Sequence, residues 1–147
     1  MKVKIKKLNE SAVIPKYSKA GDAGMDLVAT SIEIDKYGNI VYGTGLAFEI
    51  PKGYVGLLFP RSSISKYDMN LTNSTGVLDS GYRGEVFFKF KHPNRFTDDF
   101  DGKYSTYNIG DRIGQIIILP YPQIEFEEVE ELSETDRGIG GFGSTGK

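Results

Sequence analysis

The chain has 147 residues, 39% of them hydrophobic and 12% aromatic, with 18 Lys and Arg against 20 Asp and Glu for a formal charge of -2. That supply of apolar side chains excludes wholesale disorder, and the near-balanced charge argues against a nucleic-acid coat or a membrane-surface patch, both of which need a basic excess. There is no Cys and His92 is the sole histidine, which excludes disulfides, thiolate zinc sites, Cys nucleophiles and His-based metal clusters.

A lone Ser-His pair formally survives; otherwise any chemistry must run on carboxylates, hydroxyls, backbone amides, Arg and Lys. In chain order, the segment Met1 to Glu10 has the charges of a signal peptide but no apolar stretch after them, and the longest apolar run, Ile116 to Leu119, is far short of a membrane helix. The expectation is a cytoplasmic protein with no membrane span. Val3 and Ile5 alternate with Lys2, Lys4 and Lys6, which predicts a half-buried strand with lysines on its solvent face. Turn residues follow at Lys36 to Asn39 and Gly43 to Gly45. Strands are predicted over Leu46–Ile50, ended by Pro51-Lys52-Gly53, and over Tyr54–Phe59. Ser62 to Asn70 has room for two helical turns at most.

Asn73 to Val86 reads as hairpin-like, Glu85–Phe90 as a strand, and the polar stretch Lys91 to Tyr107 as a long hairpin loop. The Asp-Phe-Asp-Gly inside that loop lacks the carboxylate spacing and closing Glu of a calcium loop. Arg112–Leu119 and Gln123–Phe126 are the last predicted strands. Glu125 to Asp136 holds seven acidic residues and no basic one, read as a solvated final strand and exit segment rather than a metal site. With many short strands, 18 Gly and no sustained 3.6-residue period, the chain reads as an all-β sandwich or barrel.

Five segments do not look like scaffolding. Ala20-Gly-Asp22-Ala-Gly-Met-Asp26-Leu27 and Gly110-Asp-Arg-Ile-Gly-Gln115 are individually explained by turn chemistry, with Asp111 and Arg112 as a surface pair worth little. Phe59-Pro-Arg61-Ser62-Ser63 sets a cation, hydroxyls and free amides at a strand end, a combination suited to phosphate oxygens; ordinary N-capping by Ser62 or Ser63 is the plainer alternative. Asp79 follows two apolar residues, so partial burial is expected; it is either a functional carboxylate or a turn former bonding amides near Gly81. The terminal run Arg137-Gly-Ile-Gly-Gly-Phe142-Gly143-Ser144-Thr145-Gly-Lys147 satisfies seven P-loop positions, but no Ser or Thr and no helix follow that Lys. It is a loose tail or an arm that folds over a triphosphate, with Arg as forked donor and Phe as stacking face.

In this order and spacing, the five segments resemble the five motifs of the homotrimeric dUTPases, and the likeness runs from Ala20 through the C-terminal segment. The resemblance implies a jelly-roll-like β subunit over residues 1–136, a Gly-rich arm over 137–147 exchanged or packed across subunits, and active sites shared within a homotrimer. It implies hydrolysis of dUTP to dUMP and pyrophosphate with Mg²⁺ on the triphosphate, which keeps uracil out of DNA and supplies dUMP for dTMP synthesis. By the same likeness Asp79 is the carboxylate that deprotonates the water attacking the α-phosphorus. Arg61, Ser62, Ser63 and Gln115 meet the phosphates. Asn73, Gly76 and Val77 belong to the uracil-reading backbone, which leaves no room for a thymine methyl, and Tyr82 lies under the deoxyribose to reject a 2′-hydroxyl. Arg137, Phe142, Gly143, Ser144 and Thr145 match the closing arm, with Phe142 on the uracil. Asp26 matches an Asp near the metal-triphosphate region. Magnesium in such enzymes is held by phosphates and waters, so no protein ligand cluster is expected.

The sequence departs from the family pattern at Met69, where many relatives have Gly, and at Thr75 before Gly76. The 91–107 loop exceeds that of the simplest bacterial members and is read as decoration, with an unknown protein partner as the alternative. No nucleic-acid or membrane partner is expected. The nearest rival, dCTP deaminase, places a catalytic Glu ten residues after the hairpin Asp; Lys89 stands there and cannot do a carboxylate's work. A non-catalytic nucleotide sensor on the same fold would favour loss of Asp79, Tyr82 or Arg137, and all three are present.

Overall fold

Short apolar-polar alternations broken by glycine turns can only fold as short strands, and the computed structural model, which describes residues 1–92 and 106–141, contains ten of them and one 3₁₀ turn. One four-stranded antiparallel sheet runs in the order β2 (Met25–Val28), β10 (Arg112–Pro120), β6 (Tyr54–Phe59), β8 (Gly76–Leu78). The second runs β3 (Ser31–Ile34), β4 (Ile40–Gly43), β9 (Phe87–Lys91), β7 (Asn70–Leu71). A two-stranded ribbon of β1 (Lys4–Lys7) and β5 (Leu46–Glu49) sets Ile5 opposite Phe48, while Lys4 turns outward to an ion pair with Glu49 at 2.8 Å. The result is a jelly-roll-like all-β sandwich.

The core lies between the two larger sheets. Leu27, Leu58, Ile113 and Ile116 from one meet Tyr42, Phe88 and Phe90 from the other. Tyr42 packs edge-on against Phe90, with ring centres 5.8 Å apart at 73°. Each such buried side chain contributes roughly 1.5–3 kcal/mol of transfer free energy, an upper bound for a compact unfolded chain. Burial also pushes the phenols of Tyr42 and Tyr107 above their ordinary value.

Several expectations are corrected here. Gln123–Phe126 forms no strand among the described residues: Ile124 is 68% and Phe126 89% exposed, so the alternation is present but nothing in the same chain covers it. The strand predicted from Glu85 begins at Phe87, because residues 85 and 86 are used to bond the turn at 44–46 instead. Strands β9 and β10 are not a hairpin pair, since they lie in different sheets; of the 91–107 stretch predicted as a hairpin loop between them, residues 93–105 lie outside the described ones. The segment 73–86 likewise is no two-stranded hairpin: β8 pairs with β6, and a tight turn closed by Tyr82 N–H on the Asp79 carbonyl at 3.0 Å follows it. Among the described residues no helix is long and apolar enough to cross a membrane.

Candidate active site

The first group of site residues gathers on β8, the edge strand of its sheet, and on the turn after it. Val77 stands opposite Leu57 and Gly76 opposite Leu58, which leaves the other edge of β8 with unpaired backbone groups. Glycine suits position 76, where a Cβ would stand 3.0 Å from the Leu58 side chain and press on it. Asn73, Gly76, Val77, Asp79 and Tyr82 line one cleft of about 220 Å³. Asp79, expected to be partly buried, is exposed, and among the described residues its carboxylate has no hydrogen-bond or ion-pair partner. The turn former's alternative therefore fails: the turn is closed by the Asp79 backbone, with its side chain left free. Arg83 staples the turn by donating Nη1 to the carbonyls of Ser80 and Tyr82 at 2.7 and 2.8 Å. Tyr82 donates its hydroxyl to the Glu85 carbonyl at 2.9 Å and lies across Gly84, where any Cβ would sit 2.4 Å from that oxygen.

The second group gathers where β2, β10 and β6 lie side by side. Gln115 stands opposite Asp26 on one side and Phe59 on the other. Its Oε1 fills the space over Gly24, 2.3 Å from where a Cβ would stand, so the glycine of the first segment makes room for the amide of the fourth. Asp26 accepts from Arg61 Nε at 2.9 Å through Oδ1 and from Arg112 Nη1 at 3.2 Å through Oδ2. Arg112 thus pairs with Asp26 and not with Asp111, which instead accepts the Asn108 N–H at 2.7 Å. Sequence reading missed this because the partner lies on a strand 86 residues away. With Nε committed, both terminal nitrogens of Arg61 remain for an anion. Arg61 and Ser63 line a second cleft of about 260 Å³ together with Lys66, Tyr107, Asp111 and Arg112. The 3₁₀ turn Ser62–Lys66 has Arg61 at its N-cap and no side-chain cap bond, so the capping alternative for Ser62 and Ser63 is not what the structure has.

The two groups do not meet. Strand β8 runs antiparallel to β6 with Leu78 opposite Gly56, so Asp79 continues toward the start of β6 while Arg61 lies just past its end. Six residues of extended chain separate those levels, on the order of 20 Å. Arg137 joins neither group: it is exposed and donates Nε to the Gly140 carbonyl at 3.0 Å. Phe142, Gly143, Ser144 and Thr145 lie outside the described residues. Lys89, the deaminase-discriminating position, is on β9 with its ammonium 3.3 Å from Asp35, and it is not among the residues lining the Asp79 cleft.

Comparison with known proteins matches this chain over residues 10–146 to the family model described as dUTPase. A deoxyuridine 5'-triphosphate nucleotidohydrolase of Nautilia profundicola is 46% identical over 149 aligned residues, covering 100% of both chains. Among solved structures, a dUTPase variant of Staphylococcus bacteriophage 80alpha with dUpNHpp superposes with a TM-score of 0.83 at 28% identity, covering 99% of each chain. A dUTPase variant from phage phi11 of S. aureus, whose structure describes coordination of a structural Mg(II) ion, superposes at 0.73 with 27% identity over 89% of this chain and 98% of its own. Sandwich, clefts and sequence agree, and the chain belongs to the dUTPase family, which hydrolyses dUTP to dUMP and pyrophosphate.

Proposed function

We propose that the complete site forms only between copies of the chain in a homotrimer, one copy supplying the β8 cleft and another the arginine cleft. The observation that carries this reading is the separation along β6: Asp79 is level with the start of that strand and Arg61 lies past its end, on the order of 20 Å apart in one chain, too far for both to act on one triphosphate. Uracil pairs with the open backbone edge of β8 around Gly76 and Val77, with Asn73 beside it. Tyr82 lies under the deoxyribose. The phosphates extend to Arg61, Ser62, Ser63 and Gln115 of the neighbouring copy.

Asp79 then takes a proton from the water that attacks the α-phosphorus, and pyrophosphate leaves. An exposed carboxylate without a cation or hydrogen-bond donor is free to accept that proton, and a positioned base contributes on the order of 10²–10⁴ in rate. Asp26 acts on Arg61 rather than on substrate, since both its oxygens already bind guanidinium groups. Among the described residues no group of three or more His, Asp or Glu side chains could hold a metal ion. Bound on the triphosphate with its waters, Mg²⁺ would supply neutralisation of phosphate charge.

The segment beyond β10 supports the trimer. It leaves Ile124, Phe126, Val129 and Leu132 exposed, while the β1 ribbon borders an apolar groove lined by Ile5, Ile14, Tyr17 and Phe48. Apolar complementarity suits this segment of one copy lying on the ribbon of the next. From there the 137–147 arm closes over the site, Arg137, Ser144 and Thr145 on the phosphates with Gly143 between, and Phe142 on the uracil.

The test is pyrophosphate release from dUTP, dCTP, dTTP and UTP with Mg²⁺, with ammonia measured in parallel. Release from dUTP alone is the expected result. Equal release from UTP or dTTP would overturn the base and sugar filters, and ammonia from dCTP would overturn the reading of Lys89.

A further inference from the structure

Glu85 is half-buried in the first cleft, three residues after Tyr82, and nothing in the reaction as read above uses it. Its Oε1 accepts the Gly45 N–H at 2.7 Å, and among the described residues no cation pairs with it. Gly45 has φ +65 in the turn joining β4 to β5, and Gly43 at the end of β4 leaves room for Glu85 Oε1, which a Cβ there would meet at 2.6 Å. The next residue, Val86, is bonded to the same turn through its backbone: its carbonyl accepts from Thr44 N–H at 3.2 Å and Thr44 Oγ1 at 2.8 Å, and its N–H donates to the Leu46 carbonyl at 2.9 Å. The peptide that carries the Glu85 carbonyl is therefore fixed at both ends, and that carbonyl is the acceptor for the Tyr82 hydroxyl at 2.9 Å.

We infer that Glu85 is a positioning residue for sugar selectivity: by gripping the Gly45 amide it holds the carbonyl that sets the height of the Tyr82 ring. The inference rests on the reading of Tyr82 as the platform under the deoxyribose. A steric filter against one hydroxyl works only if the platform cannot retreat, and loss of about an ångström would admit a 2′-oxygen. Charge-assisted bonds to backbone amides are roughly twice as strong as neutral ones, which suits a carboxylate for this grip. A glutamine keeps an acceptor at the same reach. An aspartate keeps the charge but is one methylene too short to span to Gly45.

The experiment compares kcat/KM for dUTP and UTP in Glu85→Asp, Glu85→Ala, Glu85→Gln and Tyr82→Ala, each with its melting temperature. Glu85→Asp and Glu85→Ala lower the dUTP-over-UTP ratio by about tenfold or more, within the range by which a steric pocket discriminates one small group, and Glu85→Gln restores most of it. A merely structural role would lower melting temperature and both substrates' rates together, leaving the ratio where it was; that result overturns the inference, and Glu85→Asp supplies it even where the alanine variant fails to fold. If Tyr82→Ala admits UTP while Glu85→Asp does not, Glu85 alone is misassigned. If Tyr82→Ala also excludes UTP, the platform reading falls and this inference with it.

Discussion

Asp79 differs from the charged residues around it in having no partner among the described residues. Arg83 is spent on carbonyls and Glu85 on an amide, whereas the Asp79 carboxylate is exposed in its cleft. Replacing it by Asn keeps the size and the turn, because the turn uses the Asp79 backbone. Asp79→Asn therefore keeps dUpNHpp affinity within a few-fold while kcat falls by 10²-fold or more, the scale of a lost general base. Titration calorimetry and pyrophosphate release measure the two separately; substantial remaining turnover would show that another group takes the proton. The residue types at this site were legible in the string, since Arg, Ser, Gln and Asp at those spacings have few scaffolding reasons to recur together. What the string concealed was who pairs with whom. Arg112 reads as the neighbour of Asp111, and only the β2–β10 register reveals that it reaches Asp26.

Among the elements, Tyr54–Phe59 and the strand from Arg112 were read with nearly their true bounds because each is an apolar run closed off by turn residues. Strand β4, buried along its whole length, escaped the reading because only Ile40, Val41 and Tyr42 stand between the turn residues on either side. Strand β2 was hidden inside a glycine-rich segment whose glycines serve close approach, Gly24 to Gln115, and not only turns. Close approach also governs Gly114, where a Cβ would stand 2.1 Å from a ring carbon of Phe88, itself 1% exposed. Gly114→Ala forces that ring aside and destabilises the fold by about 1–3 kcal/mol, as overpacking does. Phe88→Leu in the same chain gives a double variant less destabilised than the sum of the singles. Urea unfolding measures all three, and strict additivity would mean the two sheets do not touch there.

The β3–β4 turn carries a pH signature. Asp35 accepts from the Asn39 side chain at 2.9 Å and the Asn39 amide at 2.9 Å, with Lys89 at 3.3 Å and the Tyr37 amide at 3.0 Å. These bonds, the Asn39 side chain first, hold its carboxyl well below the usual carboxylate range. A depressed folded-state value means stability that is fully present above the unfolded value near 3.9 and lost as pH falls below it toward the folded one. The melting-temperature gap between the wild-type chain and Asp35→Ala is accordingly full at pH 6 and narrows below about pH 4. A gap that is flat across that window would place the stabilisation elsewhere than in the ionised carboxylate.

At the scale of the whole molecule, the sequence carries every motif of the site, and the proposed homotrimer divides that site between two chains. Ile124 and Phe126 alternate as a strand does but are exposed, with no cover from the described residues of the same chain, which agrees with that division. A site built from two chains has a consequence that a site within one chain cannot imitate. Asp79→Asn destroys the β8 half and leaves the arginine half intact; Arg61→Ala does the reverse. Each homotrimer of either variant is inactive or nearly so. In trimers assembled at random from equal amounts of the two, each site draws its β8 half from one chain and its arginine half from another. Both halves are then intact in about a quarter of sites, a consequence of cyclic symmetry with a heterologous contact. Co-expressed chains, purified through different tags on the two variants so that only mixed trimers remain, carry one intact site in three and should recover about a third of full activity in pyrophosphate release. If Asp79 and Arg61 instead served the same site from one chain, every site in the mixture would carry one lesion and the mixed trimers would be as inactive as their parents.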